Sequence, residues 1–310
     1  MNIAIYIDGV ARMTDRTRTG FYSLLAKFKD VSVTYYLPSQ NIYEIDADII
    51  LLVLAAHQYF HMFEKIDFSS LSIPVILIDE DHICYNYDSQ YNTKWKNDIL
   101  SFYENCNTDL VIRRHSFTEE FKFPTVWLPM SGDEITIEYD SNISRSLIMG
   151  FAASFGNIPE YSIRRKAISI LENTEFLDKK YATKKLYFDY SKYLNSVTGL
   201  LACSISKAHT AIAKMFEVPL CYTALLTNRF NFNKELFGNK QCCYIYKDDC
   251  SDLLEVTKDL LNNNEKRNEV TNNAYDRVIK YHTSSKRIIE LYNILEAVIN
   301  KSKIPKVWGQ

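Results

Sequence analysis

The stretch Ile73-Pro74-Val75-Ile76-Leu77-Ile78-Asp79-Glu80-Asp81-His82 decides how this chain is read. No polar residue interrupts Val75 to Ile78, so the segment has no water-facing side. A strand buried on both faces of a parallel sheet has this pattern, whereas a half-buried strand alternates. The acids and histidine that follow fall at its carboxyl end.

Working outward, the first half holds more runs of this kind. Strands are expected over residues 3–7, 31–37, 47–55, 74–79, 110–113 and 125–128. Helices fit between them, for example over 21–28 and 94–104. Alternation of strand and helix implies a doubly wound α/β domain. After Trp127-Leu128-Pro129-Met130 the pattern breaks, and the polar, acidic stretch 131–144 reads as a linker. The alternation then restarts. Strands are expected over 146–153, 199–205, 219–227 and 242–246, with helices over 163–172, 209–216 and 251–261. From Ser285 onward, Ile288, Leu291, Tyr292, Leu295, Val298 and Ile299 follow helical spacing. The expected division is residues 1–140 with the helix 286–310, and residues 141–285.

Composition bounds the function. The 310 residues suit two domains of ordinary size, and 47% hydrophobic content gives each a core. No apolar run reaches the roughly 18 residues of a membrane span, and the first residues read as a strand, not a signal peptide. Seven cysteines, with no C-x-x-C pair, suit buried free thiols in a reducing cytoplasm. A net charge of −2 means that nucleic acid would have to be met by a local basic patch. Only 8 glycines occur, and neither G-x-G-x-x-G nor a P-loop is present, which weakens dinucleotide and P-loop readings.

Ligands of doubly wound domains sit outside the carboxyl ends of the strands, so the residues there are the candidates. Arg12, Arg16 and Arg18 follow the first strand, against one acid, Asp15. They form either a solvated loop or a site for an anionic group such as a phosphate. Asp81 and His82 can orient a hydroxyl or take its proton. Asp79 and Asp81 can instead bridge a divalent ion to a diphosphate, or all these acids can be solvated turn residues. His57 and His61, at i, i+4, lack a third metal ligand nearby. Arg113-Arg114-His115 reads as part of an acceptor surface or as solvated basic residues.

In the second half, Ser154 follows a strand. Arg164, Arg165 and Lys166 stand near a helix start, against the helix dipole, as residues meeting a phosphate would. Lys214 and Glu217 share one helix face beside His209. A lysine for a diphosphate and a carboxylate for sugar hydroxyls suit a sugar nucleotide. An exposed ion pair fits the same letters. Between 179 and 193, lysines interleave with tyrosines, a pattern of core aromatics or of base stacking.

The order of these segments resembles the CgeB-like (spore maturation protein B) glycosyltransferases, relatives of the retaining group 1 family. The carrying motifs are Met149-Gly150-Phe151-Ala152-Ala153-Ser154, Tyr161-Ser162-Ile163-Arg164, Ala213-Lys214-Met215-Phe216-Glu217-Val218-Pro219 and Leu225-Leu226-Thr227-Asn228, followed by Tyr281-His282-Thr283. The resemblance implies a GT-B fold: two Rossmann-like domains facing across a cleft, with a C-terminal helix crossing back to the first. It also implies a nucleotide-sugar donor held mainly by the second domain, and no obligatory metal. Ser154, Arg164, His209, Lys214 and Glu217 are the implied donor side, and Asp81 and His82 the catalytic side. Arg12, Arg16, Arg18 and Arg114 would meet the acceptor. The first acid of the related E-x7-E motif falls at His209, a departure that puts a catalytic role there in doubt. Asp79-Glu80-Asp81 also matches the D-x-D metal motif of the other major glycosyltransferase fold.

The expected activity is hexosyl or pentosyl transfer to a glycan, protein or small molecule. Two alternatives stand: transfer to a hydroxymethylated base of duplex DNA, which Arg12–Arg18 and Arg113–His115 permit, and an inactive GT-B scaffold acting as a binding protein.

Overall fold

The computed structural model describes residues 1–7, 21–37, 39–54, 66, 68–80, 101–103, 108–115, 121–153, 161–178, 190–204 and 209–305. They divide into two compact units, one of Met1–Pro129 with Ser285–Gln310, the other of Met130–Ser284.

The first unit is built on a six-stranded parallel sheet. Its strands are β1 (Asn2–Tyr6), β2 (Ser32–Tyr36), β3 (Ile49–Leu54), β4 (Val75–Asp79), β5 (Leu110–Arg113) and β6 (Thr125–Trp127), in the order β2-β1-β3-β4-β5-β6. Successive residues serve opposite faces. Ile3 and Ile5 join one core cluster with Leu51, Ile76 and Ile112, while Ala4 and Tyr6 join another with Leu52, Leu77 and Val111. Burial on both sides is why these strands read as unbroken apolar runs.

The second unit carries a four-stranded parallel sheet of β7 (Ser146–Phe151), β8 (Val197–Leu201), β9 (Ala224–Asn228) and β10 (Tyr244–Tyr246), in the order β10-β9-β8-β7. Its helices are α1 (Ser162–Glu172), α2 (Tyr190–Ser196), α3 (Lys214–Glu217), α4 (Asn233–Phe237), α5 (Leu253–Asn262) and α6 (Asn264–Tyr281). Met149, Phe151, Leu201 and Leu226 from the sheet pack with Ala167, Ile168 and Leu171 of α1 and with Leu253 and Leu260 of α5.

The last helix, α7 (Ser284–Ile299), lays Ile288, Leu291, Ile294 and Leu295 into the first unit's core cluster. Tyr292 stacks on Phe28 with ring centroids 4.2 Å apart. Among the described residues, no helix is long and apolar enough to cross a membrane.

Three local expectations are corrected. Residues 219–221 are not strand: Val218–Cys221 is a 3-10 turn continuing α3. Pro219, with φ preset and no N–H to spend, suits the start of such a turn. Tyr222, at φ 52°, ends it. The helix expected over 209–216 is confined to α3, because His209 adopts a left-handed φ of 47°. The stretch 131–144, read as a linker, is tied into the second unit. Asn195 donates to the Glu138 carbonyl at 2.8 Å and accepts from the Asp140 N–H at 3.0 Å, and Ile137 is buried.

Gly132 shows why that stretch is fixed. Its N–H donates to the His282 carbonyl and its carbonyl accepts from Ser284, while a Cβ there would stand 2.5 Å from the Phe216 carbonyl oxygen. Only glycine lets the backbone come so close to α3.

Leu291→Ala should lower unfolding stability by about 3 kcal/mol, through lost apolar burial and the cavity left behind. Ile289→Ala, at an exposed position of the same helix, should change it by less than about 0.5 kcal/mol. Denaturant melts of the two variants check this, and equal effects would contradict the packing of α7.

Candidate functional site

Strands buried on both faces leave only their ends for chemistry, and in each unit the carboxyl ends are where polar groups collect.

In the first unit, β4 ends at Asp79 and β5 at Arg113, and the two are register partners in adjacent strands. Their side chains form an ion pair at 3.5 Å, with exposures of 3% and 2%. One residue on, Arg114 lies 3.8 Å from Glu80 and places its guanidinium 4.5 Å from the Phe21 ring centroid. The Tyr22 hydroxyl donates to Glu80 at 2.5 Å. His115 is buried too. Arg287, at the start of α7, is fully buried and paired with Glu290. Burial lowers its pKa to about 10, Glu290 opposes that fall, and nearby Arg114 adds to it.

This arrangement corrects the reading of Arg113-Arg114-His115 as solvated basics. The strands' register delivers an acid beside each arginine, so the cations are covered. The cluster therefore offers no open basic face for a nucleic-acid backbone. Asp79, the first acid of the D-x-D pattern, is committed to Arg113. Arg12, Arg16, Arg18, Asp81, His82, His57, His61 and Ser154 lie outside the described residues. Among the described residues, no cluster of three or more His, Cys, Asp or Glu side chains is placed to hold a metal ion.

In the second unit the ends of β8, β9 and β10 are joined through Asn228, which is wholly buried. Its Oδ1 accepts from the Ser204 N–H at 2.8 Å, and its Nδ2 donates to Asp248 at 3.1 Å. His209 stands over the same strand ends. Its Nδ1 is 3.1 Å from the Arg229 carbonyl and its Nε2 is 3.7 Å from Asp248. Its own carbonyl accepts from the Asn231 N–H at 2.6 Å. The left-handed backbone of a non-glycine residue costs on the order of 1 kcal/mol, which these contacts offset.

Arg164 sits in the first turn of α1, 6% exposed, with its guanidinium 4.1 Å from the Tyr161 ring centroid. It lies by Cys203, just past the end of β8. Burial drives the Cys203 thiol up to about 11, while a hydrogen bond with Tyr246 (3.0 Å) and the charge of Arg164 pull the other way.

Lys214 and Glu217 meet a third group, Tyr190 of α2. The Lys214 ammonium is 5.5 Å from the Tyr190 ring centroid. Burial drives the Tyr190 hydroxyl well above the usual phenol range, and the neighbouring Glu217 carboxylate drives it further. Glu217 is only 5% exposed, which corrects the reading of Lys214 and Glu217 as an exposed ion pair.

The structure thus brings His209 and the ends of β8–β10 together, and groups Lys214, Glu217 and Tyr190 around α3. Sequence reasoning missed Asp248 and Asn228 as site residues. Their signal was position: Asn228 closes β9, and Asp248 lies two residues past β10.

Asp79→Asn should cost about 3 kcal/mol, because it breaks a buried ion pair while the Arg113 charge stays buried. A thermal or denaturant melt checks it, and a change below about 0.5 kcal/mol would show the pair to be dispensable.

Residues 176–293 match the family model described as "Glycosyl transferase-like". No curated protein sequence matches the chain. Among solved structures, the chain is similar to HepE of Anabaena, determined with UDP and glucose, at a TM-score of 0.64 and 10% identity, covering 96% of this chain and 100% of that one. Sucrose-phosphate synthase of Thermosynechococcus elongatus gives 0.63 and 9%, covering 96% and 99%. TarM of S. aureus gives 0.56 and 11%, and there the chain spans 54% of the neighbour's length. The fold is therefore GT-B, two Rossmann-like α/β units, and residues 176–293, less than half of the chain, are similar to glycosyl transferases.

Proposed function

We propose that the chain transfers a sugar from a nucleotide-sugar donor to an acceptor hydroxyl. The observation that carries this reading is that His209, held over the strand ends of the second unit, and Lys214 and Glu217, grouped with Tyr190 around α3, all fall inside the segment that matches the family model. HepE, a neighbour of the same fold, is also found in complex with UDP-glucose.

In this reading Lys214 meets the diphosphate, as does Arg164, and the backbone N–H groups at helix starts add to them. Glu217 accepts hydrogen bonds from ribose or sugar hydroxyls. A carboxylate held out of water is a stronger acceptor for these than an exposed one. In the transfer, the bond from the anomeric carbon to the diphosphate oxygen breaks and a bond to the acceptor oxygen forms. The acceptor's proton passes to a base, for which Asp81 and His82 are the candidates, and the nucleoside diphosphate leaves with the electron pair. Protein cations positioned on the leaving group supply the stabilisation that a metal would otherwise give. Retention of configuration and a CgeB-like subfamily are finer parts of the proposal suggested by the ordered motifs, and a cytoplasmic site of action is one suggested by the cysteine usage.

The acceptor in this reading is a glycan, protein or small molecule, met through Arg12, Arg16 and Arg18. Arg114, which pairs with Glu80 and lies against the Phe21 ring, completes the proposed acceptor side. The inactive-scaffold reading has His209 as its support and predicts donor binding without turnover.

A thermal-shift series with nucleotide sugars, UDP-glucose first, tests the proposal. A donor at a hundred times its dissociation constant should add about 2.7 kcal/mol of stability, roughly 5–10 °C in a domain of this size. Glu217→Gln should weaken binding roughly tenfold or more, by loss of charge-assisted hydrogen bonds. If no nucleotide sugar shifts the melt, the enzyme reading fails. If a donor binds but is neither transferred nor hydrolysed, the scaffold reading is favoured.

A further inference from the structure

Asp248 is assigned no role by the site as read so far, yet it touches two of its members. One carboxylate oxygen accepts from Asn228 Nδ2 at 3.1 Å, and the other lies 3.7 Å from His209 Nε2. The two contacts differ in kind. The first is a hydrogen bond that fixes the carboxylate to the buried end of β9. The second is too long for a hydrogen bond, so any coupling between the two groups is one of charge.

The opposite ring nitrogen is spoken for. His209 Nδ1 is 3.1 Å from the Arg229 carbonyl, itself an acceptor from Ser204 Oγ at 2.9 Å. Both ring nitrogens therefore face acceptors, and the ring cannot turn over without exchanging one for the other. The backbone is fixed as firmly, in the left-handed region and with the His209 carbonyl held by Asn231. Asp248 and His209 nevertheless remain partly open, with side-chain exposures of 39% and 25%. A held imidazole whose Nε2 stands partly open beside a carboxylate can, when protonated there, donate to an incoming oxygen.

We propose that Asp248 is a positioning residue that keeps a proton on His209 Nε2, and that this N–H donates to a phosphate oxygen of the bound nucleoside diphosphate. The proposal rests on the donor-site reading above. It gives the histidine at this position a function as a hydrogen-bond donor, the reverse of what a carboxylate there would supply. Asp248 is kept out of the phosphate's way by Asn228, which draws its other oxygen toward β9. The departure from an acid at residue 209 and the acid at 248 then form one device.

The test uses the full chain labelled with 15N-histidine, and UDP as the probe. Long-range 1H–15N spectra report which nitrogen of each ring carries a proton, and His209→Gln identifies the His209 signals by their loss. In the unmodified chain Nε2 should be protonated, and its resonance should move on adding UDP. Asp248→Asn preserves the acceptor for Asn228 Nδ2 but removes the charge. It should shift the ring toward the form protonated on Nδ1 alone, weaken UDP binding roughly tenfold, and leave the backbone spectrum otherwise intact. Asp248→Glu should restore both readouts in part. An unchanged ring spectrum in Asp248→Asn would overturn the positioning role. UDP binding that Asp248→Asn leaves unaltered would overturn the phosphate contact. If UDP fails to bind the unmodified chain, the donor-site reading fails with the phosphate contact, while the ring spectrum still decides whether Asp248 governs His209.

Discussion

The second unit's chemistry depends on the side-chain amide of Asn228. It is wholly buried, it closes β9, and its two polar ends face opposite neighbours: the Ser204 N–H after β8 and the Asp248 carboxylate after β10. A buried amide is tolerated only when both ends are satisfied, so each of these contacts fixes the others. Three strand ends that would otherwise splay into independent loops are held as one platform. His209 takes its orientation from that platform, through the Arg229 carbonyl on one side and Asp248 on the other. A site built on strand ends inherits the rigidity of the sheet, which a group on a free loop lacks.

The first unit solves a related problem with charge. β4 and β5 end in two acids and two arginines, set side by side by the parallel register. Each ion pair is buried, and such pairs add little net stability because desolvation offsets attraction. What they add is definition: with Glu80 held by Tyr22 and Arg114, and Arg287 by Glu290, the carboxyl edge of that sheet admits few other arrangements. The same edge leads directly into Asp81 and His82. The proposed catalytic pair thus follows, in sequence, two acids held by buried partners.

Much of this was legible in the letters, for physical reasons. Runs such as Val75–Asp79 and Leu110–Arg113 are apolar on both faces because both faces are buried, and period alone reveals that. The helix α7 was legible because its stripe of Ile288, Leu291 and Leu295 is wide. The helix α6 was not, because its 18 residues bury only Val270, Thr271, Ala274 and Val278, too sparse a stripe to stand out from its polar surroundings. The 3-10 turn at Val218–Cys221 looked like the start of a strand because an apolar stretch of that length fits either, and Pro219 decided it. At the site, Lys214 and Glu217 could be placed on one face from spacing. Their burial, and the role of Tyr190 between them, depend on where α2 lands, which no local pattern encodes. Asp248 and Asn228 escaped notice for the same reason: each is ordinary by itself, and only the sheet order β10-β9-β8 makes them neighbours.

The central claim is that a nucleotide sugar binds at the strand ends of the second unit. Hydrogen–deuterium exchange of the full chain, with and without a saturating nucleotide sugar, tests it most directly. The account predicts protection concentrated in peptides covering residues 202–217 and 228–250. Protection confined to peptides from residues 1–129, with those second-unit peptides unchanged, would contradict it.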